Sequence, residues 1–294
     1  MITTYTETTP CTLCGAANNT PHRYEHFTVP SGVASLGHNA CEKCGMRYVS
    51  PRLNSHGLAY LYDENYDTAT VSGEYNVDDH VSKHEYTSFE SYVRSNLPEG
   101  GKLLDVGCGV GMLLRRFAAD ASYEFEGLEF SEYAAKKARQ TGAVVHTGDL
   151  TNSSLPAESY DALTCLYVLE HVPDPVGVLK AMHRLCKPNG HIFCAVPNYR
   201  YLRLRSDNVV ARLATRGRAT LHAAEHLQNF TDKTIADAVQ IAGFEIVERH
   251  YTRPLATGSK PMQFAKKVGA APAEFLAKAG YGLGGIHIIA RRSS

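Results

Sequence analysis

Several features that would mark a membrane, secreted or nucleic-acid-binding protein are absent from this chain of 294 residues. Basic and acidic residues number 30 each, and the resulting net charge of zero argues against a protein that is basic throughout. No apolar run is long enough to cross a membrane. Residues 1–6 lack the basic start and apolar stretch of a signal peptide. We therefore expect a cytoplasmic protein without a membrane partner.

Internal repeats, heptad arrays and low-complexity tails are also missing, and the absence of tryptophan excludes no class of function. With 44% hydrophobic residues, the chain has an ordinary composition for a folded protein. Its length allows one or two domains with a large core.

Four of the eight cysteines form two C-x-x-C units, each followed by glycine and separated by a long loop. In a cytoplasmic protein such pairs favour zinc over disulfides. Glycine after the second cysteine permits the tight turn that directs backbone N–H groups toward thiolates. We predict a structural Zn²⁺ site made by Cys11, Cys14, Cys41 and Cys44. Free thiols or disulfides are the alternative.

A strand, a glycine turn and a helix are predicted at Leu103–Leu114. Gly107, Gly109 and a third glycine allow a sharp turn and close approach of a ligand at the C-terminal edge of a parallel sheet. The G-x-G-x-G spacing lacks the two-residue gap of the dinucleotide fingerprint. Asp105 precedes the turn, and Glu129 ends the next predicted strand, where a carboxylate would bridge two ribose hydroxyls.

These motifs and the ones that follow resemble the class I S-adenosylmethionine (SAM)-dependent methyltransferases. Gly148–Leu150 and Tyr160–Leu166 continue the pattern, and Leu169–Pro175 resembles the corresponding run of the ubiquinone-type methyltransferases. The matched span is roughly residues 100–250. The resemblance implies an α/β fold, a Rossmann-like seven-stranded sheet whose last strand is antiparallel. The cysteine segment is similar to the N-terminal zinc-binding domain of sugar methyltransferases.

Three segments are predicted: a zinc-binding lobe at 1–55, a tyrosine-rich connector with a helix at 56–100, and the methyltransferase domain at 101–294. The seven predicted strands are Lys102–Val106, Phe125–Glu129, Val144–His146, Asp161–Leu166, His191–Val196, Phe244–His250 and Ile286–Ala290. Helices are predicted at Val81–Leu97 and after Gly109, Ser131, Asp174 and Thr231.

An insertion at about 199–227 is expected to roof the substrate pocket. Its arginines favour an anionic substrate, because guanidinium groups bind phosphate or carboxylate with two hydrogen bonds. For any one of them a solvated helix face is the preferred interpretation, and none is assigned as a ligand; they are Arg200, Arg203, Arg205, Arg212, Arg216 and Arg218. A second insert is expected at Arg253–Leu283. The connector tyrosines are expected to cover the cofactor, to contact substrate or to pack between the zinc lobe and the catalytic domain; they are Tyr60, Tyr62, Tyr66 and Tyr75.

The resemblance implies a role for each residue around SAM. Gly107, Gly109 and the following backbone would accommodate the amino-acid tail, with Asp105 ordering the turn. Glu129 would accept hydrogen bonds from both ribose hydroxyls.

The adenine and methionine portions of SAM have their own expected neighbours. Phe130 would lie along adenine, and Asp149 would accept from the adenine amino group, with the Leu150 N–H nearby. Leu166 would lie beside the methionine portion. Phe130 and Leu166 would also be apolar for packing alone.

Methyl transfer is an in-line displacement that depends on alignment and exclusion of water. The acceptor usually loses a proton, and histidine is the natural base near neutral pH. His171 follows the fourth strand, and His226 follows Glu225 in a pair that resembles the Glu-His pair of zinc-containing sugar C-methyltransferases. Either histidine could instead shape its loop. We favour His226 as the base.

The leading hypothesis is methyl transfer to a small molecule, such as an anionic sugar-nucleotide or a natural-product intermediate. An RNA methyltransferase that grips nucleic acid with its zinc lobe is the second hypothesis. A SAM-binding protein without catalysis is the third. The sequence leaves the acceptor atom and the oligomeric state open.

Overall fold

The computed structural model describes residues 4–17, 20–64, 83–118, 122–200, 202, 222–251 and 285–293. Among these residues, no helix combines the length and the apolar character that crossing a membrane requires. Several residues that the sequence analysis singled out lie outside this part of the chain. They are Tyr66, Tyr75, Arg203, Arg205, Arg212, Arg216, Arg218 and the second insert. The side chain of Tyr62 also lies outside it.

A seven-stranded sheet forms the centre of the molecule. In spatial order its strands are β12 (Phe244–Tyr251), β13 (Gly285–Arg292), β10 (Cys186–Pro197), β9 (Tyr160–Leu166), β6 (Lys102–Val106), β7 (Glu124–Glu129) and β8 (Val145–Thr147). The five strands from β10 to β8 are parallel. β13 is antiparallel to both of its neighbours. The predicted fold class and the inserted antiparallel strand are therefore confirmed.

Six α-helices connect or flank the strands in the described residues. They are α1 (Ser55–Glu64), α2 (Lys83–Asn96), α3 (Met112–Phe117), α4 (Glu132–Ala138), α5 (Pro175–Leu185) and α6 (Asp232–Ile241). The side chains of Ser131, Asp174 and Thr231 cap the N-termini of α4, α5 and α6, at the positions predicted for helix starts. Each side-chain oxygen accepts a hydrogen bond from a first-turn N–H group that has no partner within its own helix.

The N-terminal lobe is built on a four-stranded antiparallel sheet beside a two-stranded one. The four strands in order are β11 (Gln228–Asn229), β4 (Arg47–Val49), β3 (Gly32–Ala40) and β2 (Arg23–Val29). The pair consists of β1 (Thr6–Glu7) and β5 (Arg52–Leu53). The long loop predicted between the cysteine pairs is thus a β-hairpin, whose strands pair from Arg23–His38 to Val29–Gly32.

The lobe and the methyltransferase sheet share one hydrophobic core. Met46 and Tyr48 of the lobe are fully buried and belong to the same cluster as Leu179 and Met182 of α5. β11 follows the insertion in the sequence, but it pairs with β4 and so adds a strand to the lobe sheet. The short strand therefore ties the lobe to the segment that carries His226.

Candidate active site

The glycine turn after β6 has the conformation that only glycine adopts readily. Gly107, Gly109 and Gly111 have φ angles of 72°, 53° and 82°, in the left-handed region that costs other residues energy. A methyl group on Gly107 would lie 2.4 Å from Val168 Cγ2, whereas one on Gly109 would meet nothing within 4 Å. The turn is therefore packed at its first glycine and open at its second.

Glu129 lies at the end of β7, beside this turn. The Gly109 N–H donates to Glu129 Oε2 at 2.8 Å, and the Ser131 N–H donates to Oε1 at 2.9 Å. The Phe130 N–H also hydrogen-bonds to this carboxylate, and together these bonds hold its position. Burial raises the pKa of Glu129 above its ordinary value, against the opposing effect of these N–H groups. The geometry suits a carboxylate that accepts bonds from a diol.

Asp105 is buried beneath the turn at the end of β6. The Thr164 hydroxyl of β9 donates a hydrogen bond to its Oδ1. Burial raises the pKa of Asp105 to about 7, although the Thr164 bond lowers it. The contact joins two adjacent strands at the sheet edge where the turn begins, in keeping with a residue that orders the turn.

Phe130 directly follows Glu129, and Asp149 and Leu150 follow β8, the strand beside β7. The Phe130 ring is 69% exposed, so one face is free in the described residues to meet a ligand. Asp149 is exposed and caps a short 3₁₀ turn by accepting from the Thr151 N–H and hydroxyl. Leu150 is buried. Leu166 is half-buried at the end of β9.

The segment after β9 carries the predicted acceptor-side residues. Val168 lies against Gly107, as described above, and the His171 N–H donates to the Val168 carbonyl at 2.9 Å. The loop therefore turns back directly beside the glycine turn. Glu170, between them, is 2% exposed, and its carbonyl accepts from the Gln228 N–H at 3.0 Å.

His171 and His226 meet in this region, although they are far apart in the sequence. Their ring centroids are 4.9 Å apart in an edge-on arrangement. His171 Nε2 lies 3.8 Å from Glu170 Oε1. The structure thus brings together the two candidate bases and adds Glu170, a carboxylate to which the sequence analysis assigned no role.

Burial shifts all three groups toward their neutral forms. It lowers the pKa of His171 to about 4, and it lowers the pKa of His226 to about 3 with help from repulsion by the neighbouring histidines. Burial raises the pKa of Glu170 to about 8. Both rings are neutral at pH 7, and their low proton affinity makes them weak bases on their own.

Glu225 contributes through its backbone. Its carbonyl accepts a hydrogen bond from His171 Nδ1 at 3.0 Å, while Glu225 itself is exposed. The turn of residues 222–226 is anchored from the lobe, because the Ala223 N–H donates to Glu25 Oε2 at 3.0 Å. His38 Nε2 lies 3.0 Å from the other oxygen of Glu25.

The four predicted zinc ligands lie together in the lobe. Cys11 Sγ is 3.6 Å from Cys44 Sγ, and Cys14 Sγ is 3.6 Å from Cys41 Sγ. The four sulfur atoms all lie within 4.8 Å of one another, and none of the four cysteines is in a disulfide. A tetrahedron with Zn–S bonds of about 2.3 Å has edges of about 3.8 Å. The sulfurs therefore fit a closed four-thiolate metal site.

The two cysteine turns have the same backbone geometry. Gly15 and Gly45 have φ angles of 70° and 81°. Their N–H groups donate to the carbonyls of Cys11 and Cys41, each at 2.8 Å. A side chain at either glycine would meet nothing within 4 Å, so the requirement is conformational rather than steric.

Hydrogen bonds connect this lobe to the loop that follows β9. The Thr12 hydroxyl, between the first two cysteines, donates to Gln228 Oε1 at 2.7 Å. Gln228 in turn donates through Nε2 to the Val172 carbonyl at 3.3 Å. The Arg52 guanidinium donates to the Pro173 carbonyl at 2.8 Å. The cysteine lobe thus holds the loop that carries Glu170 and His171.

Comparison with known proteins assigns most of the chain to one family. A family model described as "Methyltransferase domain" matches residues 80–249, which is more than half of the chain. The ubiquinone biosynthesis O-methyltransferase of Photobacterium profundum is 38% identical over 107 residues, which cover 34% of this chain and 45% of that protein. The chain thus spans a little under half the length of the curated relatives it matches.

Two solved structures show the same fold. A chain from the Haloferax volcanii complex of the Trm112 methyltransferase activator with a methyltransferase aligns with a TM-score of 0.54 and 16% identity, covering 81% of this chain and 97% of that one. Phosphoethanolamine N-methyltransferase 2 of Haemonchus contortus, solved with SAM, aligns with a TM-score of 0.53 and 12% identity, covering 82% of this chain and 58% of that one. With its fold, its glycine turn and the family match, the chain belongs to the class I SAM-dependent methyltransferases.

Proposed function

We propose that this protein transfers the methyl group of SAM to an oxygen atom of a small molecule. The observation that carries the proposal is the contact of Val168 with Gly107, which places the loop of Glu170 and His171 against the SAM-binding turn. The similarity to ubiquinone biosynthesis O-methyltransferases, whose name states an oxygen acceptor, supports the choice of atom.

The residues around the glycine turn fit SAM. When bound, SAM supplies an electrophilic methyl group on a positively charged sulfur. Gly107 and Gly109 would leave room for its amino-acid tail, and Asp105 would order the turn. Glu129, held by two backbone N–H groups, would accept from the ribose hydroxyls. Phe130 would lie along the adenine.

The remaining expected contacts are part of the same proposal. Asp149 would accept from the adenine amino group, with the Leu150 N–H nearby, and Leu166 would flank the methionine portion. On the acceptor side, His226 or His171 would accept the proton that the acceptor loses. The Glu225 carbonyl would orient His171.

We propose that the four cysteines hold a structural Zn²⁺. The short sulfur–sulfur distances and the paired glycine turns support this assignment. The ion would stabilise the lobe, and through Thr12 and Gln228 it would stabilise the loop after β9. An anionic acceptor stays a prediction, since five of the six arginines lie outside the described residues. A role in natural-product biosynthesis and a cytoplasmic location also stay predictions.

The proposal is tested with SAM labelled on its methyl group. The protein is incubated with extract of its source organism, which is then separated into small molecules, RNA and protein. We expect label in the small-molecule fraction, and mass spectrometry then locates the methylated atom. Label in RNA alone would replace this proposal with the nucleic-acid hypothesis.

A matched pair of variants makes the result specific. Glu129→Ala removes the hydrogen bonds to the N–H groups of Gly109 and Ser131 and should abolish label transfer. Glu248→Ala removes an exposed glutamate on β12 and should transfer as the unchanged protein does. Absence of label from every fraction, with SAM binding intact, would favour the SAM-binding protein without catalysis.

A further inference from the structure

A cluster of one buried and two half-buried side chains beside the predicted acceptor site has the composition of a metal site. One ligand atom each from Glu170, His171 and His226 can be chosen so that all three lie within 4.8 Å of one another. Two imidazoles and one carboxylate form a ligand set that suits divalent first-row transition ions. The cluster is distinct from the four cysteines, which are the other such group in the described residues.

Two polar atoms of the cluster lack hydrogen-bond partners among the described residues. Glu170 Oε2 and His226 Nδ1 are buried and unpaired, and Glu170 as a whole is only 2% exposed. Buried polar atoms are nearly always satisfied by protein, water or an ion. These two therefore point to a bound species between them.

The hydrogen bond of His171 fixes which ring nitrogen is available. Because a carbonyl only accepts, the bond from Nδ1 to the Glu225 carbonyl places the proton on Nδ1. The lone pair then lies on Nε2, which is the nitrogen that faces Glu170 Oε1 at 3.8 Å. Metal-bound histidines commonly donate their other ring N–H to a carbonyl in this way.

The backbone supports the cluster from several sides. The Glu170 carbonyl accepts from the Gln228 N–H, and the His226 N–H donates to the His222 carbonyl at 2.8 Å. The Ala223 N–H is held by Glu25 of the lobe. Ligands of a tetrahedral ion with bonds of about 2.1 Å lie about 3.4 Å apart. The three atoms lie within 4.8 Å of one another, so a bound ion would have to draw them closer together.

We propose that Glu170, His171 and His226 bind a divalent first-row transition ion that holds the acceptor oxygen for methylation. The ion site stands on its own geometry, while its role toward the acceptor rests on the proposed methyl transfer. Three protein ligands leave at least one coordination position open, as in catalytic metal sites. A hydroxyl bound there would be acidified, as a metal-bound water is.

In this arrangement His171 and His226 act as ligands and not as the proton acceptors considered under the proposed function, and the chemical step balances without a histidine base. The bound hydroxyl of the acceptor releases its proton to water. A lone pair of the resulting oxyanion forms the new O–CH₃ bond, while the electron pair of the breaking C–S bond returns to sulfur. The products are a methyl ether and a neutral thioether.

The site is tested by titrating the purified, zinc-containing protein with Co²⁺ and recording its visible spectrum. We expect one further equivalent of Co²⁺ whose spectrum lacks thiolate-to-cobalt charge transfer, because nitrogen and oxygen are its ligands. Glu170→Gln and His226→Asn should each weaken this binding at least tenfold. His250→Gln, which alters an exposed histidine paired with Glu248, should leave it unchanged.

Several results would overturn the proposal. These are no further equivalent, a spectrum showing only thiolate charge transfer, or Co²⁺ binding that survives both cluster variants. Should Glu170→Gln fail to fold, as judged by loss of SAM binding, His226→Asn alone decides. If Co²⁺ fails to bind but label is transferred, the ion site is wrong and the proposed function stands. If Co²⁺ binds at the cluster but no label is transferred, the proposed function fails instead.

Discussion

The carboxylate of Asp105, beneath the glycine turn, makes the stability of the folded chain depend on pH. Asp105 is a fully buried carboxylate that meets a neutral hydroxyl rather than a cation in the described residues. Burying a carboxylate without an opposite charge destabilises its ionised form. In the absence of ligand, this position therefore costs the folded state free energy that depends on pH.

The first prediction concerns Asp105→Asn and pH. Burial raises the pKa of Asp105 from 3.8 to about 7 in the folded protein, so unfolding releases a proton between about pH 4 and pH 7. Stability therefore falls as pH rises through this window. We expect the free energy of unfolding of the natural protein, relative to Asp105→Asn, to fall by about 1.4 kcal/mol per pH unit. Urea denaturation at a series of pH values measures the difference, and a constant difference would contradict the assignment.

The second prediction separates backbone strain from steric overlap. Gly107→Ala combines a left-handed φ with a methyl group 2.4 Å from Val168 Cγ2. We expect SAM affinity, measured by calorimetry, to fall at least tenfold. Gly142→Ala is the control, since Gly142 has a φ of 88° and open space around it. That variant should lose about 1–2 kcal/mol of stability and bind SAM normally. Equal SAM affinity in both variants would count against the packed turn.

Helices and strands could be predicted where residues close together in the sequence determine where they begin and end. The capping residues Ser131, Asp174 and Thr231 mark helix starts because their oxygens accept first-turn N–H groups within three residues. The hairpin of β2 and β3 was missed because its alternation is weak: Gly32, Gly37 and several polar residues interrupt the apolar positions. β11 is very short, and its pairing with β4 depends on a contact between segments far apart in the chain.

The third prediction tests the cap of α6. Thr231 and Thr234 form a reciprocal capping box. Thr231→Ala should lower the free energy of unfolding by about 1 kcal/mol, because the Thr234 N–H loses the hydroxyl that accepts its hydrogen bond. Thr231→Ser retains the hydroxyl and should lose less than half as much. Thermal or urea unfolding compares the two, and equal losses would show that the methyl group, not the cap, is responsible.

Across the whole molecule, the candidate site is assembled from parts that are distant in sequence. The proximity of Glu129 to the glycine turn could be predicted because both lie within one strand–turn–helix–strand unit. On the acceptor side His171 and His226 were singled out, but their meeting with Glu170 could not be predicted, because it depends on the folding of the lobe and the insertion. The roles of Thr164 and Val168 were also missed, since neither residue type signals a contact across neighbouring strands.

The fourth prediction concerns removal of the proposed zinc. Chelation under reducing conditions should disorder the cysteine turns and release Thr12 from Gln228. We expect the rate of methyl transfer to fall at least tenfold while SAM affinity changes less than threefold, because the glycine turn lies on the methyltransferase sheet rather than on the lobe. Thr12→Val is the matched variant that breaks the link but keeps the four thiols. A chelated protein that retains its full rate would refute the coupling.

The antiparallel strand β13 has a consequence for how the chain is made. β13 fills the space between β10 and β12, both of which precede it in synthesis. Until residues 285–292 emerge from the ribosome, β10 presents an unpaired edge and β12 lacks the neighbour that joins it to the sheet. Open strand edges can pair with other chains. Nascent or truncated forms that lack β13 are therefore the species most exposed to aggregation and most in need of a chaperone.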